Sequence, residues 1–247
     1  MVLYGWEQHV TAPTTVRRYA HRLLGTYDVG ALVRSAAVER ALRAIRPPSR
    51  ILDAGCGRGQ LAFALHRRWP NAEIVGLDFE PELVAHCDRI AEQLHATALR
   101  FECRTLPAEL PWSFDLVVCV DVLEHIADDR GFLQCLHGAT AAGGTLILHT
   151  PAAPQKRYLA EFEEQHDHVR DGYTAAGLRA ILLEAGYRRV EILPTFGFFG
   201  ALGWEIFALA RRGSSIALPF LPLAYGCALL EGARVPETGN GLLAVAC

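Results

Sequence analysis

What this 247-residue chain lacks narrows it first. Its seven cysteines (Cys56, Cys87, Cys103, Cys119, Cys135, Cys227 and Cys247) contain no C-x-x-C pair, which argues against a zinc site or a disulfide framework and for a reducing compartment. There is no long basic run and the net charge is −3, so no electrostatic footprint for a nucleic-acid partner exists. The first residues show no basic stretch followed by an apolar core, and no signal peptide is expected. No uninterrupted apolar run reaches the roughly 20 residues of a bilayer span. The most apolar region, 196–230, is broken by Glu205, Arg211, Arg212, Pro219 and Pro222. A cytoplasmic protein is the expectation. The G-K-[ST] of a phosphate-cradling loop is also missing.

What is present is enough for one sizeable core: hydrophobic residues make up 51% and charged residues 21%. The organising stretch is I-L-D-A-G-C-G-R-G-Q-L-A, residues 51–62. It reads as a buried parallel strand, a tight turn and the start of a helix. Alternate glycines let the backbone take positive φ and let a ligand approach the main chain. The helix start offers unpaired N–H groups and the positive end of a dipole. The spacing Gly55-x-Gly57-x-Gly59 departs from the G-x-G-x-x-G of dinucleotide folds, which speaks against a nicotinamide-dependent oxidoreductase. A second strand, A-E-I-V-G-L-D, ends at Asp78, about twenty positions past the glycines, where an acid accepts from a ribose diol. The alternative for Asp78 is a helix cap, since Pro81 follows at a helix start. A third signature, S-F-D-L-V-V-C-V-D-V-L-E-H-I (113–126), is a strand buried on both faces followed by an acidic turn. In an open parallel sheet such a turn lies beyond the carboxyl ends of the strands, where ligands bind.

D-x-G-x-G-x-G, the acid ending strand two, F-D-x-V-x-x-x-x-V-L-E-H-I, G-G-x-L (143–146) with Pro151, and L-x-x-x-L-x-x-A-G-Y (178–187) occur in that order. Together they resemble the class I S-adenosylmethionine-dependent methyltransferases, of the small-molecule type that includes ubiquinone-pathway O-methyltransferases. The resemblance implies an α/β, Rossmann-like, seven-stranded and mostly parallel sheet with helices on both faces and an antiparallel last strand. It implies S-adenosyl-L-methionine as cofactor, held by Asp53 (near its ammonium), Gly55, Cys56, Gly57, Gly59 and Asp78 (ribose). Phe79 is the candidate for adenine contact, and Asp121 and Val122 are expected near the cofactor. Where relatives often place an acid for the adenine amino group, this chain has Arg104 and Thr105; backbone groups near Thr105 and Leu106 are the substitute.

A single domain is expected: a cover segment at 1–29, a cofactor-binding core at 30–194, an apolar helical insertion at 195–239 between strands six and seven, and the last strand at 240–247. In the cover segment Tyr19, His21 and Tyr27 are candidates to face substrate, with a packed surface helix as the alternative. The long polar connection 152–173 sits where this fold carries specificity. His166, ahead of His168, is the candidate base or orienting group, with His125 and Tyr173 as further catalytic candidates. The alternative for His125 is a residue that caps and orders its loop. The H-x-H of 166–168 has no third ligand nearby in sequence, so no metal is expected. The acceptor is expected to be a small molecule, with oxygen or carbon on an apolar body (lipid, isoprenoid, polyketide or quinone precursor) preferred over a sugar hydroxyl. Protein and nucleic acid are disfavoured, because D-V-L-E replaces the N-P-P-[YF] motif after strand four. The insertion reads as extra core, a dimer face, a cover over a greasy pocket or a surface resting on a bilayer. A non-catalytic cofactor-binding partner subunit is the alternative to an enzyme.

Overall fold

A computed structural model describes residues 4–24, 26, 28–159 and 168–247, with the backbone alone at 20, 23 and 24. Its seven strands are β1 (Arg50–Ala54), β2 (Glu73–Asp78), β3 (Leu99–Cys103), β4 (Phe114–Val120), β5 (Thr140–Pro151), β6 (Val190–Thr195) and β7 (Gly241–Ala246). They form one sheet in the order β3-β2-β1-β4-β5-β7-β6. β1 to β5 pair in parallel, while β7 runs antiparallel between β5 and β6. This is the architecture expected, including the position of the helical insertion.

Successive strand residues point to opposite faces, so each apolar strand feeds two cores. Leu52, Val75, Val117 and Leu146 pack on one face with Phe132, Leu136, Leu178 and Leu182. These last come from α5 (Asp129–Ala139) and α6 (Ala175–Glu184). Ile51, Ile74, Leu116, Val118 and Ile147 pack on the other face. Covering them are α2 (Val29–Leu42), α3 (Gln60–Arg68) and α4 (Pro81–Gln93), through Val38, Leu42, Phe63 and Ile90.

The helix starts follow local chemistry. Asp28 caps α2 by accepting from Ala31 N, and Thr174 caps α6 by accepting from Gly177 N. β5 begins at Thr140, which pairs with Phe114 across a register shift. β6 begins only at Val190, because Tyr187 is buried against the His137 ring and Arg188 N and Arg189 N bond Cys247 O.

The insertion is two helices, α7 (Phe198–Arg211) and α8 (Leu221–Gly232), which pack on each other and on α2. Val29, Val33, Phe196, Ile206, Ala224 and Ala228 form their shared core. Two buried carboxylates pin them. Glu231 of α8 accepts from Gly197 N (2.6 Å) and Gly200 N (3.1 Å), capping α7 from its neighbour. Glu205 of α7 accepts from Tyr158 N and Leu159 N, which ties the segment after β5 to the insertion. The cover segment holds a short turn at Trp6–His9 and α1 (Thr15–Leu24).

Candidate cofactor and acceptor site

The glycine loop is fixed by the end of β2. Gly55 N and Cys56 N donate to Leu77 O at 2.8 and 2.9 Å, and Gly57 N donates to Asp78 Oδ2 at 2.8 Å. All three glycines have positive φ (77°, 53° and 74°). A Cβ at Gly55 would overlap the Val122 side chain, and one at Gly59 would meet Phe63 and Cys87. At Gly57 it would meet nothing within 4 Å. The outer glycines are therefore required by protein packing, whereas the middle one faces open space.

Asp53 is buried, and its Oδ2 has no hydrogen-bond partner among the described residues. Burial, and then the nearby Asp78 charge, push its carboxyl up to about 7. An orphaned carboxylate oxygen beside open space at Gly57 fits a cationic ligand group and a backbone-hugging body. Asp78 is not the cap of α4; Glu80 is, and Asp78 Oδ1 accepts from Glu80 N at 3.1 Å. Phe79 is 66% exposed beside it. Thr105 is exposed, while Leu106 packs against the core. From the cover segment Gln8 reaches the loop, donating to Arg58 O and accepting from His86 Nε2. Glu7 beside it is fully buried, with burial raising its carboxyl to about 7 despite Arg67 at 3.4 Å.

Past the carboxyl ends of β4 and β5 lies a cavity of about 500 Å³. Adjacent residues connect it to the loop: Val122 touches Gly55, and Asp121 lines the cavity. Asp121 sits at φ 53°. Its Oδ2 pairs with Arg34 Nε of α2 at 3.0 Å, and its Oδ1 accepts from His149 Nδ1 of β5 at 2.5 Å. Because a carboxylate only accepts, His149 carries a proton on Nδ1, and its Nε2 shares a hydrogen bond with Thr195 Oγ1 at 2.9 Å. Burial would raise the Asp121 carboxyl, but Arg34 and His149 hold it below the usual carboxylate range. Glu124 behaves oppositely. It is buried, accepts from Thr150 Oγ1, and is pushed up to about 8 by burial and by Asp121.

The catalytic candidates separate. His125 and His168 both line the cavity, with ring centroids 4.6 Å apart and edge-on. Ligand atoms of Glu124, His125 and His168 all lie within 4.8 Å of one another. Tyr173 is not among the cavity residues; its hydroxyl donates to Asp129 Oδ2 at 2.8 Å. His166 and Tyr27 lie outside the described residues. Tyr19 is 60% exposed on α1.

A family model described as a methyltransferase domain matches residues 45–185. The chain belongs to the class I S-adenosylmethionine-dependent methyltransferases. S-adenosyl-L-methionine is its cofactor. This methyltransferase is 35% identical over 119 residues to a ubiquinone biosynthesis O-methyltransferase of Xanthomonas campestris, an alignment covering 46% of this chain and 49% of the relative. It is 30% identical over 159 residues to the protein of that name from Psychrobacter arcticus, covering 58% and 61%. The chain thus spans about half the length of the curated relatives it matches. Its fold resembles Haemonchus contortus phosphoethanolamine N-methyltransferase 2 in complex with S-adenosyl-L-methionine (TM-score 0.60, 18% identity, 94% of this chain and 60% of that one). It also resembles a TehB-like S-adenosylmethionine-dependent methyltransferase of Corynebacterium glutamicum (TM-score 0.53, 17% identity, 98% and 96%).

Sequence reasoning missed Arg34, His149 and Thr195. One signal was readable: His149 is a polar interruption in the apolar strand T-L-I-L-H-T, beside the strand that leads into Asp121. Arg34 had no such mark, being one of several polar residues on a helix.

Proposed function

We propose that this methyltransferase transfers a methyl group to an oxygen of a small molecule seated in the 500 Å³ cavity. The observation that carries this reading is the Asp121–Val122 step, where one residue borders the glycine loop and the next borders the cavity. The relatives' printed name, O-methyltransferase, supports oxygen as the receiving atom. Phe196, Trp204 and Phe207 give the cavity an aromatic wall, which supports an acceptor with an apolar body.

S-adenosyl-L-methionine supplies a methyl group already activated by its sulfonium. What remains for the chain is alignment, exclusion of water and custody of a proton. Asp53, the Gly57 backbone and Asp78 are the groups to hold the ammonium, the body and the ribose. His125 and His168 are the proton acceptors at the cavity, because both imidazoles line it. Burial and the Asp121 charge push the Glu124 carboxyl up to about 8, which favours its protonated form. Arg34 and His149 fix the Asp121 turn as positioning residues.

The test is release of S-adenosylhomocysteine with a panel of hydroxylated small molecules. A hydroxyl acceptor should turn over, and the doubly substituted His125→Asn, His168→Asn variant should lose at least about tenfold in kcat while binding S-adenosylhomocysteine as before. Unchanged turnover would remove both histidines from the reaction.

A contact with a bilayer is favoured by one further observation. The turn between α7 and α8 exposes Ile216 (80%), Leu218 and Phe220, and the first turn of α8 adds Leu223, just after Arg211 and Arg212. No helix among the described residues is long and apolar enough to cross a membrane, so the contact would be peripheral. Phosphatidylglycerol vesicles should sediment the protein and leave the Ile216→Ser, Phe220→Ser variant in solution. Equal sedimentation of the two would end this reading.

A further inference from the structure

The turn after β4 and the segment before α6 are held against each other by hydrogen bonds. Val169 N donates to Glu124 O at 3.0 Å, and Arg170 Nη1 donates to Leu123 O at 2.9 Å and to Ile126 O at 2.6 Å. Arg170 Nη2 adds Ala127 O at 3.1 Å. This fastening brings His168, one residue before Val169, onto the ring of His125, edge-on with centroids 4.6 Å apart. Glu124 joins them. Among the described residues, these three bring ligand atoms within 4.8 Å of one another, and all three line the cavity. The H-x-H of 166–168 offers no third ligand along the chain, but the fold sets His168 beside two ligands from the turn that follows β4.

The donor set selects by its chemistry. Two imidazoles and one carboxylate suit zinc and its transition-metal neighbours, whereas magnesium and calcium take oxygen ligands. Three protein ligands around an open fourth position is also the pattern of zinc sites that face a cavity. Ligand atoms on a tetrahedral zinc stand about 3.4 Å apart, so closing the set from 4.8 Å asks for at most about 1.4 Å of side-chain movement. The carboxylate is already oriented: Glu124 Oε2 accepts from Thr150 Oγ1 at 3.0 Å, the kind of outer bond that fixes a ligating group. Each imidazole has two nitrogens, so one ligates while the other keeps a hydrogen bond. Asp121, with Arg34 and His149 on its two oxygens, stays outside the set.

We infer that Glu124, His125 and His168 form a binding site for a divalent transition-metal ion of the zinc class, its fourth position turned to the cavity. The site stands on the cluster alone, whatever molecule fills the cavity. It has a consequence for the proton acceptors proposed above. A neutral imidazole has one lone pair, and a lone pair given to a metal takes no proton. Metal occupancy and proton acceptance by the two histidines therefore exclude each other.

Calorimetric titration of zinc chloride into protein stripped with a chelator tests this. Zinc should bind at micromolar concentration or tighter, and magnesium chloride should give no heat over the same range. His125→Asn and His168→Asn should each weaken zinc binding at least about tenfold, and Thr150→Val, which removes the bond orienting Glu124, should weaken it about tenfold. Cobalt(II) in place of zinc should give the visible absorption of a four-coordinate site, and both histidine variants should lose it. S-adenosylhomocysteine binding to the same variants without metal should be unchanged, which reports that they are folded. No zinc heat at millimolar concentration, zinc and magnesium binding alike, or zinc binding unaltered in both histidine variants would overturn the site. Turnover of a hydroxyl acceptor reports on the methyl-transfer reading separately. Saturating zinc should slow it at least about tenfold if the histidines accept the proton. Zinc-loaded protein that turns over at full rate would keep the metal site and remove the histidines from proton transfer.

Discussion

The glycine-loop half and the cavity half of this molecule are built by different means. Around the glycine loop, the groups that matter lie within a few residues of one another or on the next strand: Asp53, Gly55, Gly57, and Asp78 one register away. Around the cavity, each contact joins distant parts of the chain. Arg34 meets Asp121, Asp121 meets His149, His149 meets Thr195, and Glu231 meets Gly197. A cofactor of fixed shape can be met by one contiguous backbone motif, whereas a cavity wall is assembled from single side chains whose meeting depends on the whole fold.

The strongest way to break the comparison is within the glycine loop. Gly55→Ala should destabilise the protein by about 3 kcal/mol or more, because its Cβ overlaps Val122 and its backbone is left-handed. Gly57→Ala should cost only about 1–2 kcal/mol from its backbone conformation, yet lose cofactor binding, because its Cβ enters the space over the loop. Thermal unfolding and titration with S-adenosylhomocysteine separate the two outcomes. Equal effects on stability would mean the middle glycine also serves packing.

In the cavity half, Glu231→Ala should cost about 1–3 kcal/mol by leaving Gly197 N and Gly200 N without their acceptor. Hydrogen exchange should quicken in α7 and not in the glycine loop, and S-adenosylhomocysteine affinity should stay within about twofold, since sites this far apart behave additively. Loss of cofactor affinity would show that the halves are energetically joined.

A smaller effect comes from Asp53. Its carboxyl titrates at about 7, and a ligand ammonium favours the ionised form. S-adenosylhomocysteine should therefore bind about tenfold more tightly at pH 8 than at pH 6. Asp53→Asn should bind weakly with a flat profile, and a flat profile in the unaltered protein would contradict the assignment.

The stability profile of the free protein offers a further measurement. Glu7, Asp53 and Glu124 all have folded pKa values raised above their ordinary ones, to about 7, 7 and 8. The folded state therefore holds protons that the unfolded chain has released between about pH 4 and 8. Stability should be fullest at the acid side of that window and fall as pH rises through it. Melting temperatures at pH 5, 6, 7 and 8 measure this, and Glu124→Gln should flatten the last step.

The legibility of the sequence follows the same division. The strands, the mostly parallel sheet and the cofactor were readable because buried parallel strands are near-continuous apolar runs and the loop between them demands glycine at fixed positions. α7 and α8 were readable as apolar helices, but not the buried Glu205 and Glu231 that fix them, because nothing local distinguishes a carboxylate that meets distant N–H groups from one that meets water. An apolar acceptor pocket was expected from the composition of 195–239. The cavity instead combines an aromatic wall with charged ends, since the residues that face it are Trp204, Phe207 and Arg211 while Ile216, Leu218 and Leu223 face outward.

The insertion has one more consequence, which lies in where it is attached. Thr195 and Gly241 are register partners in the sheet, so α7 and α8 begin and end at two neighbouring points of a structure that is already complete. Closing a chain between such fixed ends costs only about 0.6 kcal/mol more for each doubling of its length. A short turn could evolve into this hairpin, or this hairpin into another, without disturbing a single strand pairing. The α7–α8 wall of the cavity is in that sense a replaceable cassette, and descendants of one ancestral methyl-transfer core could reshape that cavity by rewriting only the stretch between Thr195 and Gly241.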